Sequence, residues 1–152
     1  MRITSLGKEA AKYERKLCLA TRRIPALKKL GPKVVSWFFE VSLVSDSEIQ
    51  KLNKKYRRKN KPTDVLSFPA SSEFFKLGHL GELIIAEGVL KKQAREFKHS
   101  ATVELKILMA HGFLHLLGLD HELSEKHSSA MAKWEEKLLG RSGIPLTKRN
   151  SV

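Results

Sequence analysis

The chain has 152 residues, 41% of them hydrophobic, and its 29 lysines and arginines against 16 acidic side chains give a formal charge of +13. A chain of this length builds one core. Its single cysteine, Cys18, excludes an internal disulfide, and no apolar run approaches the length of a membrane span. No charged-then-apolar leader opens the sequence, so a cytoplasmic protein without a membrane partner is expected.

Residues 7–23 read as a charged helix containing Leu17, Cys18 and Leu19, with Cys18 packed as a small hydrophobe; Pro25 and Gly31-Pro32 break the pattern. A weak first strand is compatible with residues 2–5. Residues 34–44 are rich in β-branched and aromatic side chains and read as a long strand, with Trp37, Phe38 and Phe39 divided between its faces. Ser45 followed by Glu48 is a capping-box start for a helix that runs to about Arg57. The charge excess concentrates here: residues 1–62 hold 17 basic and 5 acidic side chains, and residues 51–61 alone hold seven basic ones. Such a block supplies the sequence-independent attraction to phosphates that a polyanionic substrate needs. A turn through Pro62 leads to a short strand at 64–68, stopped by Pro69, and then a loop over 70–80. Residues 81–86 read as a further strand and 87–98 as a helix.

Ser100 or Thr102 caps the next helix, roughly 103–117, where the strongest chemical signal lies. His111 and His115 are four residues apart, about 40° around a helix axis, and so share a face. Gly118 then suits a left-handed helix stop that turns His121 back toward the other two. Three imidazoles on one divalent ion leave a fourth tetrahedral position open, the arrangement of catalytic zinc sites. The spacing of His, His, Gly and His matches the long motif of zinc proteases, but Gly112 occupies the place of their general-base glutamate. Glycine inside a helix costs about 1 kcal/mol against alanine, which points to close approach of a strand or substrate at Gly112. Glu104, seven residues before His111, lies on the ligand face; orienting a ligand, relaying a proton and forming a capping ion pair all fit it. Asp120 is read either as a hydrogen-bond partner of a ligand imidazole or as a turn former. His79, His99 and His127 are read as structural. Ser124 caps a last amphipathic helix ending at Gly140, in which Trp134 and Leu138 are core contacts. Residues 1–140 thus read as one α+β catalytic domain of about four strands and five helices, and 141–152 as a basic, flexible tail.

With these residues laid out, the chain closely resembles the YbeY family of bacterial metal-dependent endoribonucleases, also called rRNA maturation factors. One matching block is His111-Gly-Phe-Leu-His115-Leu-Leu-Gly-Leu-Asp-His121, against H-G-x-L-H-L-x-G-x-D-H. Another is Leu52-Asn-x-x-Tyr56-Arg57-x-Lys59-Asn-Lys61-Pro-Thr63-Asp64-Val-Leu-Ser67-Phe-Pro69, against L-N-x-x-Y-R-x-x-[DN]-x-P-T-[DN]-V-L-S-F-P. A shorter stretch, Leu80-Gly81-Glu82-Leu-Ile-Ile85, resembles the family strand L-G-[DE]-[IL]-x-I. Leu119 stands where the family commonly has Tyr. The resemblance implies a small mixed sheet with a zincin-like metal helix, and one zinc ion held by His111, His115 and His121. It further implies that Arg57 is catalytic; the basic patch itself offers Lys59 and Lys61 beside it as substrate-binding cations. The implied activity is cleavage of single-stranded RNA in 3′-end maturation of small-subunit rRNA and in ribosome quality control. The small ribosomal subunit and an Era-type GTPase are the implied partners. A zincin-like metalloprotease, or a noncatalytic ribosome- or RNA-binding module with structural zinc, is the alternative reading of the same residues.

Overall fold

A hydroxyl begins the first helix: Thr4 Oγ1 accepts the Gly7 N–H at 3.0 Å and caps α1, Ser5–Arg22. Ser5 is therefore helical, and the strand anticipated over 2–5 is displaced at its described end. The computed structural model describes residues 4–119 and the backbone of 125–140, with side chains from residue 130 of that last stretch. A proline-started turn of helix, α2 (Pro25–Lys28), follows, and then β1 (Phe38–Val44). Ser45 caps α3 (Asp46–Arg57) by accepting the Glu48 N–H at 3.2 Å, as its spacing predicts. β2 (Val65–Pro69), α4 (Ser72–Lys76), β3 (His79–Ala86), α5 (Glu87–Glu96), α6 (Ala101–Leu116) and α7 (Glu125–Gly140) complete the order.

The sheet has three strands among the described residues, one fewer than expected, in the order β1-β3-β2. β1 runs parallel to β3 and β2 antiparallel to it, so the fold is α+β with a mixed sheet. β1 begins four residues later than its β-branched run, and the reason is partnership. β3 starts at His79, opposite Phe38, so earlier residues have no strand to pair with. Trp37 instead turns inward and donates from Nε1 to the Pro32 carbonyl at 3.0 Å, while Val35 stays exposed. Pro69 closes β2 without disruption because β2 is an edge strand, where a missing N–H breaks no ladder.

Alternation along the strands feeds two cores. Leu83 and Ile85 of β3, with Phe39 of β1, join the main core with α1, α6 and α7. Leu66 of β2 packs with Ile49 of α3 in a smaller cluster that Ile84 of β3 adjoins. α6 lies at the centre of the larger core, and its buried run includes Leu105, Ile107, Leu108, Met109, Ala110, Phe113, Leu114 and Leu116. A helix apolar on nearly every face is a central one. From Ile107 to Leu116 its only polar side chains are His111 and His115, and both are half-buried. None of the described helices is long and apolar enough to cross a membrane.

Candidate metal centre

α6 is anchored at its start, so its histidines are fixed two turns and more along a rigid rod. Ser100 Oγ accepts the Val103 N–H at 3.1 Å, and the fully buried Glu104 meets His99 Nε2 at 2.6 Å. Of the roles open to Glu104, the structure shows the pairing near the helix N-terminus, with His99 as its partner. A carboxylate in the first turn also complements the helix dipole.

At the other end of α6, the two imidazoles converge. His111 Nε2 and His115 Nε2 lie 3.1 Å apart, with ring centroids at 4.7 Å and planes at 74°. His111 Nδ1 meets Glu135 Oε1 of α7. A carboxylate oxygen accepts, so the contact favours the neutral ring form with its proton on Nδ1, the form in which Nε2 is the nitrogen able to offer a lone pair. Two nitrogens about 2.0–2.1 Å from one ion at a tetrahedral angle would stand roughly 3.3 Å apart. The observed separation, with Glu135 on the opposite nitrogen of His111, therefore fits a shared divalent cation. Borderline nitrogen donors suit zinc among such ions. Three-residue ligand clusters are absent among the described residues, and the third expected ligand, His121, lies outside them, as does Asp120.

The turn that leads toward His121 is described, and it has the predicted form. Gly118 adopts φ +94°, its N–H donates to His115 O at 2.9 Å, and Leu119 N–H donates to Leu114 O at 3.1 Å. This pairing reverses the chain behind a left-handed residue. No atom of the described residues stands within 4 Å of where a Gly118 Cβ would be, while its positive φ is one that side-chain-bearing residues rarely adopt, so conformation demands the glycine.

Gly112 is demanded by space. A Cβ there would stand 2.8 Å from Leu83 Cδ2 and 3.3 Å from Ser67 Oγ. The close approach expected at this position is thus made by strands β3 and β2. The position faces the sheet, and packing leaves no room for the glutamate that the protease motif requires.

The basic block occupies the end of α3 and the turn into β2. Arg57 is the last residue of α3, and Arg58 adopts the left-handed φ of 58°, its N–H donating to Lys54 O at 3.1 Å. Asn53, 1% exposed, donates from Nδ2 to Lys61 O at 2.8 Å, and Gln50 Nε2 donates to Asn60 Oδ1 at 3.1 Å. Arg57, Lys59 and Lys61 are thereby presented together at the surface. Their connection to the histidines runs through β2. Tyr56 sets its ring edge-on to Phe68 with centroids 5.2 Å apart, and the next residue inward, Ser67, makes a long 3.5 Å contact from Oγ to Gly112 O of α6.

Other candidates fall away from the centre. Cys18 is buried in α1 and donates from Sγ to Glu14 Oε2 at 3.3 Å; burial above all, then the Glu14 carboxylate, pushes its thiol far up. His79 stacks on Phe38 at 4.8 Å and pairs with Glu40, as a structural histidine does. The side chain of His127 and the capping role of Ser124 lie outside the described residues. Leu138 is buried and Trp134 packs against the core, as read.

Glu135 is the site residue that sequence reading missed. A signal was present: Met131, Glu135, Leu138 and Leu139 share one helical face, and the three apolar members are buried. A carboxylate on a core-facing stripe asks for a partner.

The molecule is an α+β protein whose central helix carries a paired-imidazole site beside the edge strand of a small mixed sheet. Residues 8–143 match the family model described as Endoribonuclease YbeY. The chain is 42% identical to the Endoribonuclease YbeY of Aquifex aeolicus over 116 residues, covering 76% of each chain. It is 43% identical to that of Aliarcobacter butzleri over 114 residues, covering 74% of this chain and 79% of the relative. Among solved structures, the solution structure of TM1509 from Thermotoga maritima is similar with a TM-score of 0.56 at 29% identity, covering 98% of this chain and 95% of that one. The chain belongs to the YbeY endoribonuclease family.

Proposed function

We propose that the chain is a single-strand-specific endoribonuclease that uses one zinc ion held by His111, His115 and His121. The observation that carries this reading is the pair of Nε2 atoms 3.1 Å apart, with the opposite nitrogen of His111 committed to Glu135. The family name of its relatives supports RNA as the substrate, and the seven basic residues over 51–61 support a polyanion. Bound there, the ion supplies Lewis-acid activation at neutral pH.

The chain's own residues do the rest. Arg57 is a permanent, planar cation that stabilises charge growing on the nonbridging oxygens of the scissile phosphate. Lys59 and Lys61, held on the same turn by Asn53, grip the neighbouring backbone. Gly112 keeps β2 tight against α6, so the cations and the imidazoles flank one strand at fixed spacing. The same reading places the protein in the cytoplasm, in 3′-end maturation of small-subunit rRNA and in ribosome quality control, with the small ribosomal subunit and an Era-type GTPase as partners.

The test is cleavage of a single-stranded RNA with and without chelator, alongside His115→Ala and Arg57→Ala. Loss of cleavage with chelator and in both folded variants is expected, with restoration of the unaltered protein by zinc. Cleavage indifferent to chelator overturns the reading.

A further inference from the structure

We infer that Glu135 is the positioning residue of the metal centre: its contact with His111 Nδ1 sets the tautomer of that ring and, through it, the affinity of the site for a divalent cation. The inference rests on the metal reading above, but on separate atoms. The two nitrogens of an imidazole lie on opposite sides of the ring. Oε1 of Glu135 meets Nδ1, while Nε2 faces His115. Glu135 therefore stands behind His111 and not among the ligands. Unconstrained, a neutral imidazole exchanges its proton between both nitrogens, and every molecule with the proton on Nε2 has no lone pair to offer a cation. A carboxylate fixed on Nδ1 removes that population and raises the donor strength of Nε2.

The contact is built to hold. Glu135 is only 23% exposed, and it projects from a helix clamped onto the core by fully buried Met131 and nearly buried Leu138 and Leu139. α7 thus serves the site without supplying a ligand to it. A simple docking contact between α6 and α7 would predict lost stability but an unchanged tautomer, which separates the two roles.

The experiment measures zinc affinity by competition with a chromophoric chelator, and His111 ring-nitrogen chemical shifts in the metal-free protein. Both are read in the unaltered chain, Glu135→Ala and Glu135→Gln. Glu135→Ala is expected to weaken zinc binding ten- to a hundredfold and to move proton occupancy from Nδ1 toward Nε2. Glu135→Gln keeps an acceptor oxygen and recovers the Nδ1–H form with much of the affinity. If Glu135→Ala does not fold, Glu135→Met, of similar volume without an acceptor, carries the same expectation. Unchanged zinc affinity together with an unchanged tautomer in either acceptor-free variant overturns the inference. Failure of the unaltered protein to bind zinc sinks the metal reading instead, and the ring-nitrogen shifts still decide the role of Glu135.

Discussion

Gly112 shows how a single absent side chain organises the site. Alanine would gain about 1 kcal/mol of helix propensity, but its Cβ would press Leu83, a fully buried side chain with no solvent to move into. Overpacking of this kind costs about 1–3 kcal/mol. Gly112→Ala is therefore expected to lower stability by a net of about 1 kcal/mol in urea unfolding; a more stable variant would show that the strands yield freely. Glu14 and Cys18 give a second residue-scale test. Burial raises the Glu14 carboxyl pKa, opposed by the Cys18 hydrogen bond and by Arg15. Well below pH 4 the carboxyl is protonated in both folded and unfolded chains and burial has no effect on their balance. As pH rises, the unfolded chain ionises first, so stability falls and stays lower once the folded group has ionised too. Glu14→Gln removes that loss. It should stabilise the protein at pH 7 and leave it little changed at pH 3.5, measured as the difference in urea midpoints. The raised thiol of Cys18 should likewise resist a disulfide reagent in the native protein and react once the chain is unfolded.

At the scale of elements, signals confined to a few neighbouring residues were legible and pairings across the chain were not. Ser45 with Glu48 announces α3, Ser100 or Thr102 announces α6, of which Ser100 is the cap, and the spacing of His111, His115 and Gly118 announces the imidazole pair and its turn. α2 and α4 are four and five residues long, too short to leave a periodic trace. The start of β1 was misplaced because it depends on where β3 begins, some forty residues later. Glu135 was invisible for the same reason, since it meets His111 across 24 residues of sequence. The α3–β2 turn carries its own prediction. Asn53→Ala deletes the buried donor to Lys61 O, which should cost about 1–3 kcal/mol and weaken RNA binding by loosening Lys59 and Lys61. Stability equal to that of the unaltered protein would show the turn is held otherwise.

Across the whole molecule, charge and sheet order set the behaviour. Binding of single-stranded RNA should weaken with salt by about 0.7 log units per log unit for each phosphate contacted. Replacing Lys59 and Lys61 by alanine together should flatten that slope, whereas an unchanged slope would place the phosphate contacts elsewhere. The strand order has a different kind of consequence. Both β1 and β2 hydrogen-bond to β3 and neither bonds to the other, although both precede it in the chain. A nascent polypeptide that has emerged only as far as Gly78 has two orphan ribbons and no template to join them. Assembly must wait for the eight residues that follow, so backbone amides of β3 should be among the last to exchange with deuterium and among the first to gain protection on refolding.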